Sequence, residues 1–142
     1  MVPLEVTHTA LVTEKILDKI HTLSTSFSQI IAELLLFFKS TYKTIFRMND
    51  PPLHDPCAVA FVINPEMFEC RLMRVDVETA SHLSYGQTVC DVFGMSKKKA
   101  NVHVCFKMDV DKFWTLMLDA IQLANNKTPI NGSCNKKAKI DD

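Results

Sequence analysis

The sequence predicts an α/β chain, amphipathic helices combined with a small antiparallel set of strands. Three observations carry that prediction. Apolar residues recur at helical spacing through residues 13–21, 27–45 and 109–125. Over residues 69–78 the period drops to two, with Met73, Val75 and Val77 on one side and Arg74, Asp76 and Glu78 on the other. Short loops, rather than the long crossovers that parallel strands need, join this run to two further strand-like runs.

Taken in order, residues 3–6 read as a short extended piece, and Thr13 then caps a helix that places Ile16, Leu17 and Ile20 on one side. Ser26 and Gln29 form a capping box. Behind it, Phe27, Ile30, Ile31, Leu34, Leu35, Phe38 and Ile45 make the broad apolar face of a long, well-buried helix, which residues 48–52 end. Pro51 and Pro52 forbid helix on the approach to Leu53-His54-Asp55-Pro56, where Asp55 suits the N-cap and Pro56 the first helical position. Residues 57–63 are almost uninterruptedly apolar and stop at Asn64-Pro65, as expected of a short helix buried on most sides. After the strand at 69–78, residues 79–86 turn, 87–92 form a second strand, 94–100 a basic loop, and Val102, Val104 and Phe106 mark a third strand. Asp109 then caps a helix to about Asn125 that buries Phe113, Met117, Ala120, Ile121 and Ala124, with Trp114 beside them. Residues 126–142 lack periodicity and read as a disordered polar tail behind one domain at 1–125.

The 142 residues suit a single domain, and 47% hydrophobic content can fill a sizeable core. Sixteen basic and sixteen acidic side chains cancel, so no overall field favours nucleic acid or an anionic membrane. The lysines at 97–99 and at 136, 137 and 139 are expected to be solvated. Five scattered cysteines without CxxC pairing fit reduced thiols, and the first residues carry neither the basic nor the apolar region of a signal peptide. A cytoplasmic location is the expectation. Three glycines and no glycine-rich motif leave no phosphate-cradling loop.

The residues that could carry chemistry centre on His54 and Asp55. A helix start alone accounts for Asp55 and Pro56, but not for His54. The electropositive end of a helix favours a neutral imidazole and an ionised carboxylate, which suits a hydrogen-bonding histidine beside a metal-ligating aspartate. His8, His21, His82 and His103 read as satisfied or solvent-facing imidazoles, and Cys57 as a core thiol.

The run Pro52-Leu53-His54-Asp55-Pro56-Cys57-Ala58-Val59-Ala60, followed by Val75-Asp76-Val77-Glu78-Thr79, Gly86-Gln87-Thr88-Val89 and Asp111-Lys112-Phe113-Trp114, resembles the C-terminal part of the inosine-uridine preferring nucleoside hydrolases. Pro3-Leu4-Glu5-Val6-Thr7-His8 also looks like that family's run into its late helices, so the similarity covers roughly residues 3–125 in the family's order. The resemblance implies hydrolysis of the N-glycosidic bond of ribonucleosides by a calcium-bound water. It implies that Asp55 is a calcium ligand and that His54 assists the departing base. Family members carry specificity residues on the helix before this turn, which makes Tyr42 and Phe46 candidates, although helix-face packing explains both equally well. The family's N-terminal DxDxxxDD motif, its asparagine- and glutamate-containing ribose segment and its parallel-sheet core do not occur here.

Two expectations follow. The first is a truncated nucleoside hydrolase, inactive in isolation, whose apolar helix faces are exposed for want of the sheet that family members place beneath them. The second is a non-catalytic module that associates with a full-length hydrolase or another protein. Family resemblance further suggests homo-oligomers.

Overall fold

Three strands give the chain its most regular feature. The computed structural model describes residues 1–131; most of the polar tail, Cys134 and the lysines at 136, 137 and 139 lie outside the described residues. The helices are α1 (Leu4–Thr7), α2 (Glu14–His21), α3 (Ser26–Thr41), α4 (Asp55–Ile63) and α5 (Val110–Lys127), and the strands are β1 (Phe68–Val77), β2 (Thr88–Asp91) and β3 (Val102–Met108). The sheet order is β2-β1-β3 and both pairings are antiparallel, as the loop lengths predict.

These elements fall into two compact units. The first contains Met1–Thr9 and His54–Asp109. Its core includes Met73, Val75 and Val104, with Met1, Cys90 and Val102 packed against them. The Asn101 side chain adds a rung to the sheet: its carbonyl oxygen accepts from the Val75 amide at 2.8 Å and its amide nitrogen donates to the Val75 carbonyl at 3.0 Å. On the sheet's polar side, Arg74 and Lys98 both pair with Asp76.

Residues 3–6 are not extended. Leu4–Thr7 is one helical turn, too short for periodicity to reveal, with the Thr9 hydroxyl donating to the Val6 carbonyl (2.7 Å) and the Thr7 hydroxyl 3.4 Å from the Leu4 carbonyl. The start of α4 also differs from expectation. Asp55 is itself the first helical residue, and His54 occupies the cap position because its carbonyl accepts the first helical bond, from the Cys57 amide at 3.0 Å. Nor is α4 buried on most sides: Cys57 and Ala60 are buried, whereas Val59, Val62 and Ile63 are exposed.

The second unit contains Ala10–Leu53 and the chain from Val110. Ile16, Leu17 and Ile20 of α2 are buried as predicted. The capping box of α3 sits one residue earlier than expected: the Thr25 hydroxyl accepts from the Ser28 amide, and the Ser28 hydroxyl accepts from the Thr25 amide, both at 3.1 Å. Helix α3 continues into a wide turn at Tyr42–Phe46 that ends at Arg47 in the left-handed conformation (φ 56°). It is not well buried. Ser28 and Ala32 are its buried residues, while Leu34 is 52% exposed, Phe37 66% and Phe38 46%.

Helix α5 buries Phe113 and Trp114, leaves Met117 and Ile121 partly covered, and exposes Ala120 and Ala124. It runs to Lys127. Beyond it, the Asn131 side chain donates to the Asn125 carbonyl (2.8 Å) and accepts from the Phe27 amide (3.1 Å).

Candidate functional site

The approach to the His54 turn is fixed in the second unit by backbone pairing. Pro51 and Pro52 are buried, the Val12 amide donates to the Pro51 carbonyl at 2.9 Å, and the Leu53 amide donates to the Ala10 carbonyl at 3.0 Å. Prolines suit this segment because the pairing uses the Pro51 carbonyl and the Leu53 amide, so neither proline's missing amide is required.

In the first unit, α1 delivers two side chains to His54. The buried Thr7 hydroxyl lies 2.7 Å from His54 Nδ1, and the His8 ring stands edge-on to the His54 ring with centroids 5.6 Å apart. Their order on α1 matters: Thr7 faces inward at 3% exposure while His8, one residue on, is exposed. Burial, and after it the neighbouring His8, lowers the His54 pKa, and the Asp55 carboxylate opposes them. The imidazole is therefore biased towards its neutral form.

Asp55 is exposed in the first turn of α4, where the helix dipole favours a carboxylate. Cys57, two residues on, is buried, and burial pushes its thiol up to about 11, as expected of a core sulfur rather than a nucleophile. Calcium takes six to eight oxygen ligands, and among the described residues no group of three or more His, Cys, Asp or Glu side chains converges to hold a metal ion. One carboxylate does not fit that requirement, so Asp55 by itself makes no calcium site.

Tyr42 and Phe46 belong to the second unit, where their rings pack on one another with centroids 5.1 Å apart. Thr7 and His8 were missed as partners of His54. Their place in the run Pro3 to His8 was the available signal, but residues 47 positions apart show no spacing rule that joins them. No helix among the described residues is long and apolar enough to cross a membrane.

The described residues thus combine helices, a small antiparallel sheet and a His-Asp turn that opens α4. The chain superposes on a purine-preferring ribonucleoside hydrolase from Gardnerella vaginalis with a TM-score of 0.77 and 24% identity, over 90% of this chain and 40% of that one. It superposes on an inosine-guanosine nucleoside hydrolase with a TM-score of 0.70 and 26% identity, over 83% of this chain and 37% of that one. A family model described as inosine-uridine preferring nucleoside hydrolase matches residues 1–115, and the chain belongs to that family.

Among curated relatives, a probable ribonucleoside hydrolase of Dictyostelium discoideum is 54% identical over 132 residues, 89% of this chain and 39% of that protein. The inosine-uridine preferring nucleoside hydrolase of Crithidia fasciculata is 34% identical over 122 residues, covering 86% and 39%. The chain thus spans about 39% of the length of these relatives.

Proposed function

We propose that these residues form one wall of a nucleoside hydrolase site, cleaving the N-glycosidic bond of ribonucleosides such as inosine or uridine, and that the 142-residue chain alone is inactive. The observation that carries this reading is the half-buried His54, held by Thr7 next to an exposed carboxylate. Cleavage leaves electron density on a ring nitrogen of the departing base. With Nδ1 engaged by Thr7, Nε2 is the nitrogen that meets the base. The Thr7 hydroxyl has one proton, and its contact with Nδ1 (2.7 Å) is shorter than that with the Leu4 carbonyl (3.4 Å). Donation to Nδ1 places the ring proton on Nε2, poised to hydrogen-bond the base nitrogen as charge develops.

In this reading Asp55 is one ligand of a calcium site that supplies the nucleophilic water when complete. The remaining ligands and the ribose contacts come from polypeptide outside these residues. Tyr42 and Phe46 are the proposed contributors to base selectivity, the location is cytoplasmic, and assembly is homo-oligomeric.

The test grafts this chain onto the Dictyostelium relative in place of the segment that it matches. His54→Ala in the graft should lower kcat by roughly 10²–10⁴-fold on inosine with little change in KM, and far less on a nitrophenyl riboside, whose leaving group needs no proton. Equal losses on both substrates would contradict the role of His54.

A second reading, a non-catalytic module that binds a full-length hydrolase, draws on the exposed apolar side chains Leu34, Phe37 and Phe38 of α3. Co-purification with the full-length Dictyostelium relative at fixed stoichiometry, lost on Phe37→Glu, would support it. Failure to associate would exclude it.

A further inference from the structure

Cys70 on β1 and Cys105 on β3 are register partners in the antiparallel sheet, with their sulfurs 2.9 Å apart. The kind of pairing can be worked out from β3's outer edge. There the Met1 amino group donates to the His103 carbonyl at 2.6 Å and the Cys105 amide donates to the Met1 carbonyl at 3.0 Å. Backbone groups of residues 103 and 105 therefore point away from β1, which makes Cys70–Cys105 a non-hydrogen-bonded pair. Such pairs bring Cα atoms to about 4.5 Å. A disulfide needs about 4.4–6.8 Å, so the backbone already lies within its range.

The register also steps between Glu69 and Cys70: Glu69 faces Lys107 and Cys70 faces Cys105, leaving Phe106 as an extra residue on β3. A bulge of this kind gives the two strands local freedom to adjust to a new bond. The two thiols differ in access, since Cys70 is exposed and Cys105 is buried.

We propose that Cys70 and Cys105 form a reversible redox site, closed to a disulfide by hydroperoxides. The Cys70 thiolate attacks a peroxide oxygen, breaking the O–O bond to give a sulfenic acid and releasing an alcohol, or water from hydrogen peroxide. The Cys105 sulfur then attacks the sulfenic sulfur, forming the S–S bond and expelling water. Two thiols lose two electrons and two protons, which the peroxide takes up as its two reduced oxygen products. Burial and the neighbouring Cys70 push the Cys105 thiol up to about 12, consistent with Cys70 as the sulfur that reacts first and Cys105 as the one that resolves.

The full 142-residue chain is treated with equimolar hydrogen peroxide, alkylated in denaturant and mapped by mass spectrometry after digestion with trypsin and a Glu-specific protease, which place the five cysteines on separate peptides. The expected product is a Cys70–Cys105 cross-link that leaves three of the five cysteines alkylated, reverts with dithiothreitol, and forms at least roughly tenfold faster than in guanidinium-unfolded chain. Cys105→Ser should instead leave Cys70 as a sulfenic acid that dimedone traps. Cross-links distributed over other cysteines, over-oxidation of Cys70 with Cys105 still alkylated, or equal rates in folded and unfolded chain would each overturn the proposal.

Discussion

Replacing Thr7 with valine removes the hydroxyl that meets His54 Nδ1 at 2.7 Å while nearly preserving the volume of a side chain that is 3% exposed. A net hydrogen bond contributes about 0.5–1.5 kcal/mol, and a partner left unsatisfied in a buried setting costs about 1–3 kcal/mol. His54 is only half-buried, so the lower part of that range applies, about 1–2 kcal/mol. With a urea dependence of about 2 kcal/mol per molar for a chain of this size, the unfolding midpoint should fall by roughly 0.5–1 M. Thr7→Ser controls for the hydroxyl: it loses a buried methyl, worth about 1 kcal/mol, but keeps the contact. Stability alone therefore separates the two variants poorly, and long-range nitrogen–proton NMR of the His54 ring separates them well. Wild type and Thr7→Ser should share one set of Nδ1 and Nε2 shifts, and Thr7→Val should move both. Unchanged ring shifts and an unchanged midpoint in Thr7→Val would refute the contact and the positioning of His54 that depends on it.

Arg74 and Lys98 hold the Asp76 carboxyl down to about 2, below its ordinary value of 3.8. Its folded pKa is depressed, so its contribution to stability is present above about pH 4 and is lost as the pH falls towards 2. Asp76→Asn should flatten the acid side of the stability profile in that window, and an unchanged slope by urea titration would count against the ion pair. Cys57, pushed up to about 11 from an ordinary 9.0, should react with iodoacetamide at pH 8 at least roughly a hundredfold more slowly in the folded chain than in urea. Comparable rates would mean that α4 opens readily at its first turn.

How much could be read from the residues alone depends on the range of the interaction. The alternation over residues 69–78 located β1 to within a residue, and the helical faces at α2, α3 and α5 were placed because periodicity is a local property. Burial was not legible in the same way. Ile30, Leu34 and Phe38 read as a core face, yet each is about half exposed, because spacing says which residues share a side but not what covers it. The capping box of α3 moved by one residue, from Ser26 and Gln29 to Thr25 and Ser28, because the side-chain geometry that makes it is not a property of spacing alone.

The site shows the same division. His54 and Asp55 stood out because prolines bracket them, whereas Thr7, His8 and the Cys70–Cys105 pair are long-range neighbours created by the fold. No single-sequence spacing rule reaches across 35 or 47 residues to join them.

The most direct test of a one-walled site is calcium-dependent release of ribose from inosine and uridine, measured by reducing-sugar assay on the 142-residue chain and on the graft into the Dictyostelium relative. The chain alone should release no ribose above the buffer blank, and the graft should release it and lose that activity with Asp55→Asn. Ribose release by the chain alone that Asp55→Asn abolishes, or a graft indifferent to Asp55→Asn, would contradict the account.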